Sequence, residues 1–589
     1  MQIKRKINEE QSKNQNSQIL VSIKNQEWMN KSNDSQLETQ LCEEFKINPI
    51  ISRLLSIRQI YPENFKNFFN PKIKNLLPDP IVFNDMDHAT DKIIEMIIKK
   101  KKIGVFGDYD VDGTSSTAML CGYFREVGVD YQFYIPDRKN EGYGPNINAF
   151  KKLLENQCQI ILTLDCGTTS FKEIDYVKKK NVDVIIVDHH KEGNDLPNAF
   201  AIINPNKKDD KSNLTNLCAT AVTFFLIVSI NRKLKQKNFF KTSSPDLMKY
   251  LDLVALATVC DVVKLDLINR TFVKQGLKIL NQSKNQGLIS LLNESQIKTE
   301  INDYHLGYLI GPRINAGGRM GDSSLGTELL LSSDKVIASA KAKKLSDYNS
   351  LRKKIEKEVE TEAMQMVAND EKIICVNSKK WHEGVIGIVA SKLTEKFNRP
   401  SIVISENNGL CKASCRSVNE FDIGELIFQA VQDRIIESGG GHKMAAGFSI
   451  KPNRIDEFKR YIGNKYNKGK KEIMKFYDSE IKISSINNNL YFEIEKLSPF
   501  GPGNPRPKFL VKGCFVRYSK IVGEEHISFF FEDIYGNGIK GIAFNAVKNE
   551  ISKILNLNGI EVDLICSVKL NRWNDDEKTE LQIEDVIMN

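Results

Sequence analysis

Along the chain, short runs of apolar residues alternate with stretches whose apolar positions recur at helical spacing. The runs IGVFG (103–107), IILTL (160–164) and VDVIIV (182–187) are each flanked by such helix-period segments. Near-continuous apolar runs of that length suit strands buried on both faces, so residues 45–333 predict an α/β domain with a parallel sheet covered by helices. Between Asp334 and Ala368 there is no Gly or Pro, and Val336, Ile337, Ala340, Leu345, Leu351, Ile355 and Val359 fall at roughly helical intervals. Residues 334–370 therefore predict one long connecting helix, with two helices broken near Asp347 to Ser350 as the alternative. Residues 371–465 return to strand-like runs (IICV, SIVIS) mixed with helices and include the glycine-rich GGGHKMAAGFSI. From 475 to 589 five strand-like runs dominate; they predict a small β-barrel of the OB type, a sandwich being the other arrangement the periodicity permits. Residues 1–44, rich in Gln, Asn, Ser and Lys, predict a poorly ordered lead-in.

A chain of 589 residues exceeds what one hydrophobic core supports, which agrees with several domains. Its 41% hydrophobic and 27% charged residues are ordinary for a globular protein. The net charge of +9 permits a polyanionic partner without requiring one. Asn, Lys and Ile are abundant in the manner of a compositionally biased genome, so single surface lysines carry little information. The eleven cysteines include no CxxC pair, and Cys411 and Cys415 have no nearby His or Cys to complete a zinc site. A disulfide framework is thereby set aside and a reducing cytoplasm expected. Met1 to Lys24 lacks the apolar core of a signal peptide, and the longest apolar run, Ala221 to Ile230, is far short of a membrane span.

The acidic residues change the picture. IGVFG leads into Asp108-Tyr109-Asp110-Val111-Asp112-Gly113, IILTL into Asp165-Cys166-Gly167, and VDVIIV into Asp188-His189-His190. Three buried-type strands thus deliver carboxylates or imidazoles just past their C-terminal ends, the edge where open α/β sheets bind ligands. Asp261 is a fourth candidate, set inside the apolar LDLVALATVCDVVKL. So many carboxylates in one crevice repel one another unless cations lie between them. Oxygen ligands with one or two imidazoles suit Mn2+ or Mg2+. Two ions about 4 Å apart would serve hydrolysis at phosphorus.

With those residues in place, DYDVDG, LDCGTTS, VDHH and ATVCDVV resemble the four N-terminal motifs of the DHH phosphoesterase superfamily. GPRINAGGRMGD (311–322), WHEGVIGIVASKL (381–393), KASCRS (412–417), GGGHKMAAG (439–447) and the tail segments SPFGPGNPRPKF, VGEEH and GIAFN resemble its RecJ nucleases in particular. The likeness runs from about residue 45 to the end. It implies a DHH catalytic domain, a DHHA1 domain and a C-terminal OB domain. Position by position it implies Asp110, Asp112, Asp165, His189 and Asp261 as ligands of two ions, Mn2+ or Mg2+, with Asp165 as the bridge. His190 would contact the substrate phosphate or assist proton transfer, and Asp108 would be a ligand or would orient one. Cys166 stands where many relatives have Asn and is taken as a tolerated change. Substrate contacts are expected from Arg313, Ser414, Arg416, Gly440, Gly441 and His442, with Gly439 beside them and Tyr143 on the access path as a stacking residue.

The resemblance further implies an exonuclease that digests single-stranded DNA from the 5′ end to 5′-mononucleotides in recombination and repair. It would work as a monomer away from membranes, supplied by a single-strand-binding protein and a helicase. Two rivals stand beside it. A DHH phosphodiesterase for short oligonucleotides or cyclic dinucleotides would need only the two lobes, which the extra strand-rich domain disfavours. A catalytically silent scaffold would have eroded ligands, and here every expected acid and both histidines are present.

Overall fold

The computed structural model describes residues 19–588 apart from 298, 369–370, 408, 464, 466–473, 555–556, 558 and 574–575. The chain forms two compact units. The larger comprises Leu77–Val263 and Thr271–Gly469; the smaller is assembled from Met1–Leu76, Lys264–Arg270 and Lys470–Asn589.

The smaller unit starts with β1 (Leu20–Val21) paired antiparallel to β2 (Glu27–Asn30), followed by helix α1 (Ser35–Phe45). Asp34 caps α1 by accepting from the Gln36 and Leu37 amides. Residues 19–44 are therefore folded, contrary to the expected lead-in, while residues 1–18 lie outside the described residues. Polar composition concealed a sparse but sufficient apolar pattern. Trp28 is fully buried, its indole N–H donating to Asp585 at 3.0 Å, and Leu37 and Leu41 enter the core.

In the larger unit β3 (Ile103–Gly107), β4 (Tyr131–Tyr134), β5 (Ile160–Leu164), β6 (Asp183–Val187) and β7 (Ala201–Ile203) form an all-parallel sheet in the order β4-β3-β5-β6-β7. Every residue of β3 and β5 is buried, as a sheet covered on both faces demands. The strand order reverses between β3 and β5, which opens a crevice at their C-terminal ends. Helices α2 (Val111–Glu126), α3 (Ala219–Gln236) and α4 (Leu251–Cys260) surround that crevice. Gly113 in the first turn of α2 cannot be replaced by a larger residue, because a Cβ there would meet the Asp108 backbone at 2.5 Å. Next come a π-helical turn at His305–Ile310 and α5 (Gly311–Met320).

The connecting segment is one unbroken helix, α6 (Lys335–Gln365), about 46 Å long at the standard rise, which excludes the alternative of a break near Asp347. Beyond it β8 (Ile374–Ser378), β9 (Ser401–Ser405), β10 (Cys411–Arg416), β11 (Ser438–His442) and β12 (Ala445–Ile450) form a mixed sheet in the order β11-β12-β10-β9-β8. Helices α7 (Ile386–Phe397) and α8 (Ile423–Gln432) accompany this second lobe.

The chain then returns to the smaller unit. β13 (Lys475–Tyr477) joins β2 in parallel, and β14 (Ser479–Glu480) joins the next strand. Strands β15 (Phe509–Val522), β16 (His526–Glu532), β17 (Gly538–Ala543), β18 (Glu561–Trp573) and β19 (Asp576–Met588) close into a five-stranded OB barrel. Closure comes from β15, which is long enough to pair with both β16 and β18 and bends at bulges near Val511 and Val516. Strict alternation of buried and part-exposed residues along β16 marks the barrel wall. Ile51, Leu54, Leu55 and Phe68 share one core with Phe529, Val562 and Leu564. Residues 45–76 and 264–270 thus belong with the barrel and not with the catalytic domain expected at 45–333. A helical apolar stripe says that a face is buried but not which core buries it.

Candidate metal centre and adjoining groove

Each acid is fixed by the element that carries it. Asp108 follows β3 and is buried. Asp110 is the N-cap of α2 and accepts from the Gly113 amide at 3.0 Å. Asp112, in the first turn of α2, accepts from the Ala219 amide (2.6 Å), the Thr220 amide (2.8 Å) and the Thr220 hydroxyl (2.6 Å) at the N-terminus of α3. Asp165 follows β5 in the left-handed region (φ 62°), its amide bonded to the Val187 carbonyl. Asp188, His189 and His190 follow β6, and Asp261 is the C-cap of α4.

These residues converge. His189 Nε2 lies 3.3 Å from Asp165 Oδ1 and 3.8 Å from both Asp112 Oδ2 and Asp261 Oδ2. His189 Nδ1 is 3.0 Å from the Leu217 carbonyl oxygen, to which it can only donate. Its Nε2 lone pair is therefore left facing the acids, the arrangement of a metal-ligating imidazole. Ligand atoms fall into three overlapping sets, each within 4.8 Å: Asp108, Asp110 and Asp165; Asp112, His189 and Asp261; Asp165, His189 and His190. Asp165 and His189 are each common to two sets, and of the two only the carboxylate, with two oxygens, suits a bridge. Asp108 Oδ1 and Asp165 Oδ1 are buried and find no hydrogen-bond partner among the described residues. Orphaned carboxylate oxygens are costly, and a divalent cation satisfies them. The oxygen and imidazole donors, without thiolate, fit Mn2+ or Mg2+.

The electrostatics agree. Burial and repulsion from neighbouring acids lift the Asp108 and Asp165 carboxyls well above their ordinary range, burial lifts Asp112, and burial with Asp112 and Asp110 pushes Asp261 up to about 8. Asp188 behaves oppositely. Burial would raise it, but the hydrogen bonds from His190 and Thr168 hold it far below the usual carboxylate range. Burial would lower His190, but the bond to Asp188 overrides this and pushes the imidazole up to about 9.

Asp188 organises both histidines. Its Oδ1 accepts from the His189 amide (2.7 Å) and the His190 amide (3.1 Å) and lies 2.7 Å from His190 Nδ1; its Oδ2 accepts from the Thr168 amide (3.1 Å) and hydroxyl (2.6 Å). Asn204 Nδ2 donates to the His190 carbonyl at 2.8 Å and to the Thr168 hydroxyl at 3.0 Å, and Asn206 Nδ2 donates to the His189 carbonyl at 2.6 Å. Sequence reasoning gave no role to Asp188, Thr168 or the two asparagines. For the asparagines the available signal was the polar pair in IINPN, directly after the short apolar strand β7. Cys166 is buried with its thiol on the Leu164 carbonyl, inside an apolar cluster.

Beside the centre lies a groove of about 1190 Å³ between the two lobes of the larger unit. Tyr109, Arg138, Tyr143 and Arg319 line it from the catalytic lobe; Gly384, Ser414, Arg416 and Gly439 are among those facing them. The Tyr143 ring is half-exposed, while its hydroxyl donates to the Asp165 carbonyl at 3.0 Å and lies 3.2 and 3.3 Å from the His190 ring nitrogens. Arg319 donates to the Gly384 carbonyl at 2.9 Å, and Arg416 donates to the Cys415 carbonyl at 2.8 Å and to the Ser414 hydroxyl at 3.3 Å. Burial, together with Arg138, Arg352 and Arg416, depresses the Arg319 guanidinium to about 9. Crowded cations of this kind lack an anion, and forked guanidinium groups match phosphate.

Four of the expected contacts stand elsewhere. Arg313 binds the Ser346 hydroxyl (3.2 Å) and the Leu309 carbonyl (2.7 Å) and does not line the groove. Six residues along a helix is roughly 240° of rotation, so Arg319 takes the place foreseen for it. Of the glycine-rich strand β11, an exposed edge strand, Ser438 and Gly439 reach the groove, whereas Gly440, Gly441 and His442 lie beyond its lining. Gly441 is demanded by β12, since a Cβ would meet the Ala446 Cα at 2.4 Å. Arg138 was not foreseen, being one basic residue among several in an irregular loop.

Among the described residues no helix is long and apolar enough to cross a membrane. The model of the DHH family N-terminal domain matches residues 102–258, that of the DHHA1 domain 369–468, and that of the RecJ OB domain 477–585. The chain is 30% identical over 571 residues to a single-stranded-DNA-specific exonuclease RecJ of Bacillus subtilis, covering 95% of this chain and 70% of that one. It is 30% identical over 532 residues to the exonuclease of the same name from Dickeya dadantii, covering 86% and 91%. RecJ from Thermus thermophilus in complex with Mn2+ matches with a TM-score of 0.79 and 25% identity, over 94% of this chain and 78% of that one. Three matched domains in the same order, and likeness along nearly the whole length, place this chain in the RecJ family of single-stranded-DNA-specific exonucleases.

Proposed function

We propose that this protein digests single-stranded DNA from its 5′ end, releasing 5′-mononucleotides by phosphodiester hydrolysis with two divalent ions, Mn2+ or Mg2+. The observation that carries this reading is the juxtaposition of the ligand sets sharing Asp165 with a groove lined by Arg138, Arg319 and Arg416. Asp110, Asp112, Asp165, His189 and Asp261 would hold the ions, and Asp108 would complete the set around Asp110 and Asp165. When bound, the ions supply Lewis-acid stabilisation of phosphate charge and acidify water. His190, held at Nδ1 by Asp188 and with the Tyr143 hydroxyl beside its ring, would contact the reacting phosphate or assist proton transfer. Arg138, Arg319, Arg416 and the Ser414 hydroxyl take the terminal phosphate, which places the strand end at the groove and the next phosphodiester at the acids. Tyr143 offers its exposed ring face to the terminal base. A cytoplasmic monomer that meets its substrate through a single-strand-binding protein and a helicase, in recombination and repair, completes the reading.

The test is digestion of one single strand labelled at either end, with Mn2+. Immediate release of labelled mononucleotide from the 5′ end, a slowly shortening ladder from the 3′ label, and no cleavage by Asp165→Ala are expected. Survival of long strands while di- and trinucleotides are cut would move the substrate to short oligonucleotides.

A further inference from the structure

Beside Asp261 lies a patch that the centre and the arginine groove leave unused. Val262, the next residue, has φ 58° and is 64% exposed. A β-branched residue in that region is strained, and here the strain turns an apolar side chain outward next to a ligand. The π-helical turn packs directly on the end of α4. The Cys260 thiol meets the Leu306 carbonyl at 3.4 Å, and a Cβ on Gly311 would lie 2.4 Å from Cys260 Sγ. Leu306 and Ile310 form its buried side. Its outer side carries Tyr304 and Tyr308, 55% and 69% exposed, with ring centroids 5.0 Å apart and planes 23° from parallel. Residues four apart share a helix face, so the two rings form one continuous surface. None of Val262, Tyr304 and Tyr308 lines the arginine groove.

Stacked tyrosines left open to water beside a phosphodiester-cleaving centre match one partner, the flat faces of unpaired bases. A strand with its end among Arg138, Arg319 and Arg416 and its next phosphate at Asp165 continues beyond the acids, and Asp261, last of them along the chain, ends the helix on which this turn packs. We propose that Tyr304 and Tyr308, on the turn packed against the end of α4, are the stacking platform for bases on the 3′ side of the cleaved phosphate. This rests on the nuclease reading above and adds to it the place where strand length is sensed.

The experiment uses the full chain carrying Tyr304→Ala with Tyr308→Ala, Mn2+, and two substrates, a 5′-phosphorylated thymidine dinucleotide and a 5′-phosphorylated 20-mer of thymidine. The ratio of kcat/KM for the 20-mer over the dinucleotide should fall about 5- to 100-fold, carried by KM for the 20-mer, as loss of one stacked base predicts. The double Tyr→Phe variant should restore it. An unchanged ratio, or equal losses on both substrates, overturns the platform and leaves the patch to a protein partner. Anisotropy of the 20-mer on an Asp165→Ala background separates this from failure of the nuclease reading. Binding weakened by the tyrosine substitutions upholds the platform even without cleavage, and binding indifferent to them rejects it.

Discussion

In the catalytic lobe the charged groups of the candidate metal centre stand at the ends of strands and helices, and Asp110, Asp112 and Asp188 are pinned there by backbone amides. Asp112 alone accepts two amides and a hydroxyl from the start of α3, and Asp188 holds two consecutive histidines. The arginine groove is made otherwise. Arg138 comes from a loop, Arg319 from the last turn of α5, and Arg416 from the end of β10 in the second lobe. The first arrangement is fixed before any substrate arrives; the second depends on two lobes holding their places. Like charges crowd both sites. The acids are crowded inside one fold, whereas the cations are brought together from two lobes.

Four changes should break or sharpen that contrast. Asp165→Ala removes the carboxylate shared by two of the candidate ligand sets, and activity should fall on the order of 10³-fold or more in single-turnover digestion, equivalent to several kcal/mol. In calorimetry, Mn2+ at a hundredfold excess over its Kd should stabilise the wild-type protein by about 2.7 kcal/mol for each ion bound, and Asp165→Ala should abolish that rise. Asp188→Asn leaves the ligands but loosens both histidines, so Mn2+ affinity or rate should drop about 10- to 100-fold in a metal titration. Arg319→Lys keeps the charge and loses the fork; preference for 5′-phosphate over 5′-hydroxyl ends should shrink by roughly tenfold while Mn2+ affinity holds. Gly384→Ala acts chiefly on the fit between lobes, because a Cβ there would stand 2.4 Å from the Arg319 carbonyl oxygen, against 3.0 Å from the nearest atom of its own lobe, His382 Nδ1. Overpacking costs about 1–3 kcal/mol, and a KM increase of about 3- to 10-fold with little change in kcat is expected. An equal loss of Mn2+ binding in Gly384→Ala would show the two regions to be one device.

The sequence was most informative where chemistry and secondary structure coincide. Asp108 to Asp112, Asp165 and His189 stand at the ends of apolar runs, so their position at one sheet edge follows from strand direction alone. The connecting helix was legible because thirty-odd residues lack Gly and Pro. Legibility ended where a residue's neighbours come from distant sequence. Nothing in the helical pattern of 311–320 selects Arg319 over Arg313, because the choice depends on which face meets the second lobe. Trp28 sits in a polar stretch, and its burial depends on strands more than four hundred residues away. The helices at 49–69 show amphipathic patterns that would suit either unit.

The divided make-up of the smaller unit bears on how the chain is born. Its first seventy-six residues are translated early, yet the strands that cover Trp28 and pair with β2 come after Lys470. At about 5–20 residues per second, roughly twenty to eighty seconds separate their synthesis. During that interval Leu37, Leu41, Ile51 and Leu54 have no barrel to bury them, while the larger unit is completed in between. Shortening the C-terminus would therefore orphan the N-terminus as well, and the nascent chain needs protection at its beginning until its end has been made.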